Sequence, residues 1–381
     1  MERANVVIIG GGVVGCAIAR ELSGTIDDVF LLEELPRLGM ATSTRNSGVV
    51  NSGIYYPPGS LKARLCVEGN RLTKEFCAAH GVPHENCGKI VVASHDSQVA
   101  ELEALAENGR KNGVAGLRMV GRERIREREP HVSGVAALEV PSTGIVSAEE
   151  LTKGYARAAT ERGANILTEA RVTSLAPRAD AVVVGIERGE RTGGAGPEGV
   201  ARETIEARCV VNAAGLHADE VAALAGNTSY RIYPVRGEYA EVSRASAYLV
   251  NALVYPLPHA DHLSLGMHLT RTLWGTVLVG PTARYVADKN DYEHDRQPLE
   301  DFLDGARLLL PELKLEDLRL AYSGLRPKLV PPDRHETADF VITRDAAWPR
   351  AIHLVGIESP GLTAAPAIAR HVAPLVAETL S

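Results

Sequence analysis

The apolar residues near the amino terminus are spaced as a strand, a helix and a second strand. Residues 5–9 (NVVII) form a β-branched run, which predicts a strand buried on both faces. Val14, Ile18 and Leu22 recur at helical spacing and predict a helix with one apolar face. The apolar run at 29–32 predicts the next strand, so the pattern is that of a βαβ unit.

The same kind of patterning continues along the chain. It predicts helices at 61–80, 98–112, 148–162 and 299–310 and strands at 89–93, 164–167, 171–175, 182–186 and 204–211. The regions 230–242 and 252–279 carry β-type residues punctuated by Gly and Pro, as antiparallel sheets do. The charged run 121–130 is typical of a solvated helix face, and the polar, Gly-rich stretch 187–203 is typical of a hairpin tip.

Composition narrows the class of protein. A chain of 381 residues predicts two domains, and its 45% hydrophobic content excludes a disordered protein. The 41 basic and 48 acidic residues give a net charge of −7, which does not favour nucleic-acid binding. No apolar stretch is long enough for a membrane span. The five cysteines are widely spaced with no CxxC, so we expect a cytoplasmic protein without disulfides or a metal site.

The turn after the first strand carries a phosphate-binding pattern. Gly10, Gly12 and Gly15 fit G-x-G-x-x-G, and Glu33 follows at the end of the second strand. The glycines permit a tight turn, close approach of a pyrophosphate and close helix packing, while Glu33 can accept hydrogen bonds from ribose hydroxyls. An acid there would repel a 2′-phosphate, which argues against NADP. The pattern alone does not choose between NAD and FAD, nor exclude a plain glycine-rich turn.

Two further segments rich in small residues are either solvated loops or parts of a cofactor site. The segment 41–60 (ATSTRNSGVVNSGIYYPPGS) directly follows the βαβ unit. The turn 212–215 (NAAG) directly follows a predicted strand. A strand that runs into small residues favours backbone lying near a ligand.

Several motifs together resemble a known family. These are the amino-terminal glycine pattern, TSTRNSGVV…SGIYYPPGSLKA, VVNAAGLHA, SGLRPKL and GIESPGLTAAPAIA. The chain resembles the flavoproteins of the D-amino-acid oxidase superfamily over nearly its whole length, and within them the L-2-hydroxyglutarate dehydrogenase (oxidase) branch. The RNSG…SGIYYPPGSLKA and GIESPGLT motifs are specific to that branch, whereas the glycine pattern and NAAG are shared by many FAD proteins.

The resemblance implies a two-domain α/β fold. A Rossmann-type, glutathione-reductase-like FAD-binding domain would be discontinuous and built from residues 1–86, 148–225 and 321–381. An α+β substrate domain with a mainly antiparallel sheet would comprise residues 87–147 and 226–320.

The resemblance also implies which residues contact a non-covalently bound FAD. Near the pyrophosphate, the ribose and the flavin these are Gly10, Gly12, Val13, Val14, Gly15, Glu33, Ser43, Thr44, Arg45, Asn46, Ser47 and Gly48. At the adenosine end and the pyrimidine edge they are Val172, Ala213, Ala214, Gly215, Gly356, Glu358, Ser359, Gly361, Leu362 and Thr363. Physical chemistry favours the last group, because a helix beginning near Gly361 would stabilise the negative charge of a reduced flavin. A plain glycine turn before a surface helix is the alternative.

On the substrate side, the resemblance implies that Arg326 clamps a carboxylate and that His268 accepts the hydroxyl proton. A guanidinium matches a carboxylate bidentately, and an imidazole suits proton transfer near neutral pH. The alternatives are a surface ion pair for Arg326 and simple packing for His268. Tyr55, Tyr56 and Tyr255 are candidate pocket walls. His217 is expected on the adenosine side, and His259 and His262 in a solvated loop.

One position departs from the branch. Asn51 stands where the branch usually has a histidine beside the flavin, and an amide cannot serve as a base at neutral pH. The change leaves open both the base and the substrate.

The resulting hypothesis is FAD-dependent oxidation of a small carboxylate substrate at its α carbon, by hydride transfer to flavin N5. An L-2-hydroxy acid such as L-2-hydroxyglutarate, converted to the 2-oxo acid, is the first choice. An amine or amino-acid oxidase is the alternative, and a non-catalytic nucleotide-binding protein is a further one. The electron acceptor would be O2, a quinone or a redox protein, with peripheral membrane contact possible. Nothing in the sequence sets the oligomeric state.

Overall fold

The computed structural model describes residues 2–189, 201–258, 266–334 and 336–381. Its helices are α1 (Val13–Leu22), α2 (Leu61–His80), α3 (Val99–Lys111), α4 (Arg122–Arg128), α5 (Ala148–Thr160), α6 (Ala218–Leu224), α7 (Leu299–Arg307) and α8 (Gly361–Leu380). Its strands are β1 (Glu2–Ile9), β2 (Val29–Leu32), β3 (Val49–Val50), β4 (His84–Glu85), β5 (Lys89–Ala93), β6 (Arg118–Gly121), β7 (Ala136–Val140), β8 (Gly144–Val146), β9 (Asn165–Leu167), β10 (Ala170–Pro177), β11 (Val182–Arg188), β12 (Ala201–Asn212), β13 (Tyr233–Val242), β14 (Leu253–Pro256), β15 (His268–Arg271), β16 (Val277–Gly280), β17 (Arg284–Tyr285), β18 (Leu318–Lys328), β19 (Val341–Arg344) and β20 (Ala351–Val355).

The first sheet is built around the amino-terminal strand. Parallel strands run in the order β20, β12, β1, β2, β9, and the antiparallel strands β10, β11 and β19 extend the sheet. In β1, residues 6–9 are apolar and lie opposite residues 29–32 of β2, as expected of a strand covered on both faces. Helices α1, α2, α5 and α8 contribute to one continuous apolar core on this sheet. The α/β fold with a Rossmann-type unit, predicted from the sequence, is confirmed.

The second sheet is mainly antiparallel. Its order is β17, β13, β16, β15, β14, β5, β7, β6, with β18 paired to β13, and among the described strands of this sheet only β14 and β5 pair in parallel. Helix α7 covers it, with Phe302 and Ala306 fully buried in its core. A small third sheet joins β3, β8 and β4.

Strand β18 crosses the boundary expected at residue 321. Residues 323–328 and 318–320 of this strand pair with β13 on either side of a register shift, so both ends of the strand lie in the second sheet. We propose that the two large sheets are the cores of two domains, with this segment boundary after Lys328.

Most predicted elements lie within a residue or two of their expected bounds, and the differences have local causes. The helix expected at 299–310 ends at Arg307, three residues early, and Pro311 disfavours helical backbone at Leu310. Helix α2 begins after Ser60, whose Oγ accepts a hydrogen bond from Ala63 N, and ends at Gly81 with φ +67°. Part of the hairpin tip (190–200) and both His259 and His262 lie outside the described residues.

None of the described helices combines the length and the apolar character needed to cross a bilayer. The five cysteines are free, and Cys87 alone among them is not fully buried. In the described ranges, no cluster of three or more His, Cys, Asp or Glu side chains is arranged to hold a metal ion.

Candidate active site

A cavity of about 1290 Å³ lies where the two large sheets meet. Its walls include Ile9, Leu32 and Leu354 from the first sheet and Tyr239 and Tyr255 from the second. Pockets for small molecules are typically about 300–1,000 Å³, so this cavity has room for a dinucleotide together with a small substrate.

The glycine-rich loop after β1 forms one end of the cavity. Gly10 has φ +110°, and a Cβ there would lie 2.5 Å from Ala213 O. A Cβ on Gly15 would lie 1.9 Å from Gly10 O, and one on Gly12 would lie 2.9 Å from Ser43 Oγ. Glycine avoids these close contacts and leaves the start of α1 open to the cavity. The open loop and the helix start together form a cradle of the kind that binds a pyrophosphate. This part of the structure therefore fits FAD.

Glu33 lies beside this loop and lines the cavity. Its carboxylate accepts hydrogen bonds from Gly11 N at 2.6 Å and from Leu35 N at 2.9 Å. Burial raises the pKa of Glu33, and these backbone hydrogen bonds partly oppose the rise. Glu33 thus fixes the loop, and a carboxylate has further lone pairs with which to accept a ribose hydroxyl.

The cofactor positions expected from the sequence fall into two groups. The residues that line the cavity are Gly10, Gly12, Val13, Val14, Glu33, Ser43, Arg45, Asn46, Ser47, Val172, Ala213, Ala214, Gly215, Glu358, Ser359, Gly361 and Leu362. Those that do not line it are Gly15, Thr44, Gly48, Gly356 and Thr363. His217 also lines the cavity, with its Nδ1 3.0 Å from Glu220 Oε2.

The five positions outside the lining support its walls. A Cβ on Gly48 would lie 2.5 Å from Val146 O, so glycine is needed for the close approach of two chain segments. Thr44 Oγ1 donates to Gly39 O. Thr363 is fully buried; its Oγ1 accepts a hydrogen bond from Asn51 N at 2.8 Å and also lies 3.3 Å from Val49 O. We infer that these residues act through neighbouring backbone.

The loop before α8 carries a buried group of charges. Glu358 Oε1 lies 2.9 Å from Lys62 Nζ, and its Oε2 lies 3.6 Å from Lys328 Nζ. Burial acts to raise the pKa of Glu358, but the charges of Lys62 and Lys328 outweigh it and hold the pKa below its ordinary value. With Arg326 there are three basic side chains for one carboxylate, so this wall has a formal positive charge, and burial lowers the pKa of Lys328.

The substrate-side candidates line the same cavity. Arg326 rests on the backbone of Gly237, where a Cβ would lie 3.0 Å from the Arg326 Nη2 atom. The His268 ring stacks on the Tyr255 ring, with centroids 3.7 Å apart and planes 10° apart. Tyr55 and Tyr56 also line the cavity, and Tyr56 Oη lies 3.4 Å from Ser359 Oγ. The structure therefore brings all six expected substrate-side positions, including Asn51, to one space.

Asn51 lines the cavity, and its backbone is fixed by hydrogen bonds on both sides. Its N–H donates to Thr363 Oγ1, and its carbonyl oxygen accepts from Asn70 Nδ2 at 2.8 Å. The backbone at this cavity position is therefore fixed by hydrogen bonds that do not depend on the identity of its side chain.

Lys89 is a residue that the sequence analysis missed. Its side chain is fully buried, with Nζ 4.3 Å from the Tyr55 ring centroid, 4.6 Å from that of Tyr255 and 3.3 Å from Tyr55 Oη. Burial lowers the pKa of Lys89 to about 7. The available signal was a lysine opening an otherwise apolar strand, KIVVA.

Comparisons with known proteins agree with this geometry. The model of the FAD dependent oxidoreductase family DAO matches residues 5–375. The chain is 35% identical to mitochondrial L-2-hydroxyglutarate dehydrogenase of Arabidopsis thaliana, covering 98% of this chain and 83% of that protein. It is 32% identical to L-2-hydroxyglutarate dehydrogenase of Escherichia coli K12, covering 96% and 91% respectively.

A solved structure shares the fold. Dithionite-reduced L-alpha-glycerophosphate oxidase from Mycoplasma pneumoniae, with FAD bound, superposes with a TM-score of 0.87 at 28% identity. The match covers 99% of this chain and 95% of that one. The glycine cradle, the matched family model and these relatives lead to one conclusion: the chain belongs to the DAO family of FAD-dependent oxidoreductases.

Proposed function

We propose that this FAD-dependent oxidoreductase oxidises L-2-hydroxyglutarate to the 2-oxo acid. One observation carries the proposal: Arg326 and His268 line one cavity with the glycine cradle, in a chain whose relatives at 32–35% identity bear the name L-2-hydroxyglutarate dehydrogenase. The formal positive charge of the cavity wall that carries Lys62, Lys328 and Glu358 also favours an acidic substrate over a neutral one.

Different residues of the chain bind the substrate and accept its proton. Arg326 binds the carboxylate next to the reacting carbon, and a ring nitrogen of His268 accepts the hydroxyl proton. The aromatic wall of Tyr255 holds the imidazole in one plane. FAD, when bound, supplies the acceptor for the two electrons and the α hydrogen that leave as hydride.

The direct test is anaerobic mixing of the FAD-loaded protein with L-2-hydroxyglutarate, followed by the visible absorption of the flavin. We expect bleaching with the L enantiomer and none with the D enantiomer. Arg326→Ala should raise KM by about ten- to a hundredfold, the range expected for losing a charge-assisted pair. Arg319→Ala is the matched control, because Arg319 lies on the same strand with 73% of its side chain exposed. Absence of bleaching with L-2-hydroxyglutarate would refute the proposal.

The base can be tested separately. His268→Ala should lower the rate of flavin reduction by about 10²–10⁴, whereas Asn51→Ala should lower it by less than about tenfold, because an amide takes no proton at neutral pH. A larger loss in the Asn51 variant would place the proton acceptor elsewhere.

Asn51 also favours a second candidate, oxidation of an amine or amino acid. An amine that loses its proton to solvent needs no strong base at this position. Bleaching by L-glutamate, with L-2-hydroxyglutarate inert, would establish this candidate instead.

We further propose that O2, a quinone or a redox protein reoxidises the flavin. Anaerobic reduction followed by mixing with O2 or with a soluble quinone distinguishes these acceptors by the rate at which the flavin absorption returns.

A further inference from the structure

A buried chain of hydrogen bonds lies behind the cavity wall at the end of β12. It runs from Asp345 through His353 on β20 to Asn212, and all three residues are almost fully buried. Asp345 Oδ2 lies 3.2 Å from His353 Nε2, and His353 Nδ1 lies 3.1 Å from Asn212 Nδ2. None of the three lines the cavity, and the function proposed above does not use them.

The orientation of the Asn212 amide is fixed by its other partners. Its Nδ2 donates to Ala218 O at 2.7 Å, and its Oδ1 accepts from Ala214 N at 3.2 Å. A carbonyl oxygen can only accept and a backbone N–H can only donate, so the atom that faces His353 is the NH2 group.

This orientation determines the proton position on His353. Since Asn212 Nδ2 donates, His353 Nδ1 must accept, and the ring proton must be on Nε2, where it points at Asp345. His353 is therefore neutral in this arrangement. A second ring proton would set two donors, Nδ1–H and Nδ2–H, against each other in a buried space.

The other groups around the imidazole do not remove this conflict. Burial lowers the pKa of His353, and the charge of Asp345 only partly opposes this. The Asp345 carboxylate accepts hydrogen bonds from Asn227 Nδ2 at 2.6 Å and from two backbone N–H groups. These bonds fix its position, so it does not move with the His353 ring. The remaining aromatic neighbour, Tyr230, meets the ring edge-on at 6.0 Å.

Asn212 in turn holds a wall of the cofactor cavity. The turn Ala213, Ala214 and Gly215 lines that cavity, and Ala213 N donates to Ile9 O at 2.9 Å. A Cβ on Gly10 would lie only 2.5 Å from Ala213 O, so the turn packs directly on the glycine-rich loop. A shift of Asn212 would therefore move the 213–215 turn and the glycine-rich loop that packs on it.

We propose that His353, in its neutral form, is a positioning residue for FAD: it fixes the Asn212 amide and thereby the 213–215 turn against the glycine-rich loop, and its protonation weakens FAD binding. The sign follows from the arrangement. The contact is intact above the pKa of His353 in the folded protein, which lies below the ordinary value for histidine, and it is lost as the pH falls through it. The dissociation constant for FAD should rise by up to about tenfold as the pH falls through the pKa of His353, as expected for one buried hydrogen bond replaced by facing donors.

The experiment measures FAD release from the loaded protein at pH 5 to 8, by equilibrium dialysis and by the fluorescence of freed flavin. His353→Gln is the decisive variant, because its amide offers one acceptor and one donor, as the neutral imidazole does, yet it does not titrate. We expect this variant to bind FAD as the wild type does at pH 7 and to keep that affinity at pH 5. His353→Leu should bind weakly at every pH.

His371→Gln is the matched control. Burial also lowers the pKa of His371, but this residue lies on α8 and does not line the cavity, so its variant should retain the wild-type pH dependence. Nitrogen NMR of the unsubstituted protein gives a second measurement, in which His353 should show a protonated Nε2 and a bare Nδ1 at pH 7. A wild-type FAD affinity that does not weaken over the pH range in which NMR shows His353 gaining its second ring proton, a His353→Gln variant with the wild-type pH dependence, or a proton on Nδ1 at pH 7 would each overturn the proposal.

Discussion

Replacing Glu358 by Gln tests whether the charges on the α8 loop are a structural pair. The substitution keeps the shape of the side chain and removes its charge. Lys62 then loses its partner at 2.9 Å while only 4% of its side chain is exposed. Lys328, 3.6 Å from the other oxygen, loses its counter-charge as well. A buried cation without a partner is strongly destabilising.

The size of the effect follows from burial. Breaking a buried ion pair by removing one partner costs about 3–5 kcal/mol. Unfolding entropy is about 2.1 cal/mol/K per residue, so 381 residues give about 0.8 kcal/mol/K. The midpoint of thermal unfolding should therefore fall by about 4–6 °C.

The assay is calorimetric unfolding of the wild type and of Glu358→Gln, with and without FAD, since Glu358 also lines the cofactor cavity. The flavin-free proteins should retain the difference, because the ion pair is internal to the chain. Glu149→Gln breaks an exposed pair with Lys153 and should move the midpoint by less than about 1 °C. Combining Glu358→Leu with Lys62→Met should recover much of the loss, since no unpaired charge then remains at 62.

The pH dependence supplies a second criterion. The pKa of Glu358 is lower in the folded protein than its ordinary value, so the contribution of its charge is complete above about pH 4.5 and disappears as the pH falls through the folded value. The gap between wild type and Glu358→Gln should narrow in acid. A variant that unfolds within 1 °C of the wild type at pH 7, or a gap that widens in acid, would refute this account.

Two other substitutions test the cofactor cradle and the buried lysine. Gly15→Ala should abolish FAD retention, because its Cβ would lie 1.9 Å from Gly10 O; the flavin-to-protein ratio checks this, and Gly121→Ala, whose Cβ meets nothing within 4 Å, should keep a full complement. Lys89→Met should raise the unfolding midpoint at pH 6, since burial lowers the pKa of Lys89 to about 7 and the charged form is therefore the disfavoured one. That gain should shrink between pH 7 and 10, where the folded lysine is already neutral and the unfolded one is not; an unchanged gain would contradict the assignment.

Local patterns were enough to predict the elements that position the site. The helix Leu61–His80 and the strand Lys89–Ala93 have the bounds expected from the sequence, because caps and apolar periodicity are properties of neighbouring residues. The glycine-rich loop was also predicted, because the spacing of its glycines is a local pattern, although Gly10 and Gly12 make their close approaches to Ala213 and Ser43. The FAD cofactor and the family also followed from motifs, and both are confirmed.

Partners far apart in sequence were beyond such reasoning. Lys89 begins a strand that looks ordinary, and only the parallel pairing of β5 with β14 sets it beside Tyr255. His353 lies in an apolar run, AIHLVGI, where a lone histidine was the one available sign of a buried polar role. Its partners Asn212 and Asp345 come from β12 and from the loop after β19, so no local sequence pattern indicates which ring nitrogen carries the proton.

The charges on the cavity wall show what separate sequence motifs leave out, namely which charged side chains pair with each other. The SLKA and GIESPG motifs each predict residue types near the flavin, but Lys62 and Glu358 are 296 positions apart, and their charges have meaning only as a pair. Because an unpaired buried charge is strongly destabilising, the two positions should change together in related chains: a neutral residue at 62 should accompany a neutral residue at 358. Arg326 lines the cavity, and we do not expect position 326 to change together with position 358. Its identity in related chains should instead depend on the substrate that each chain oxidises. Frequent relatives with Glu358 retained and both lysines lost would show that the pairing is not what holds this loop.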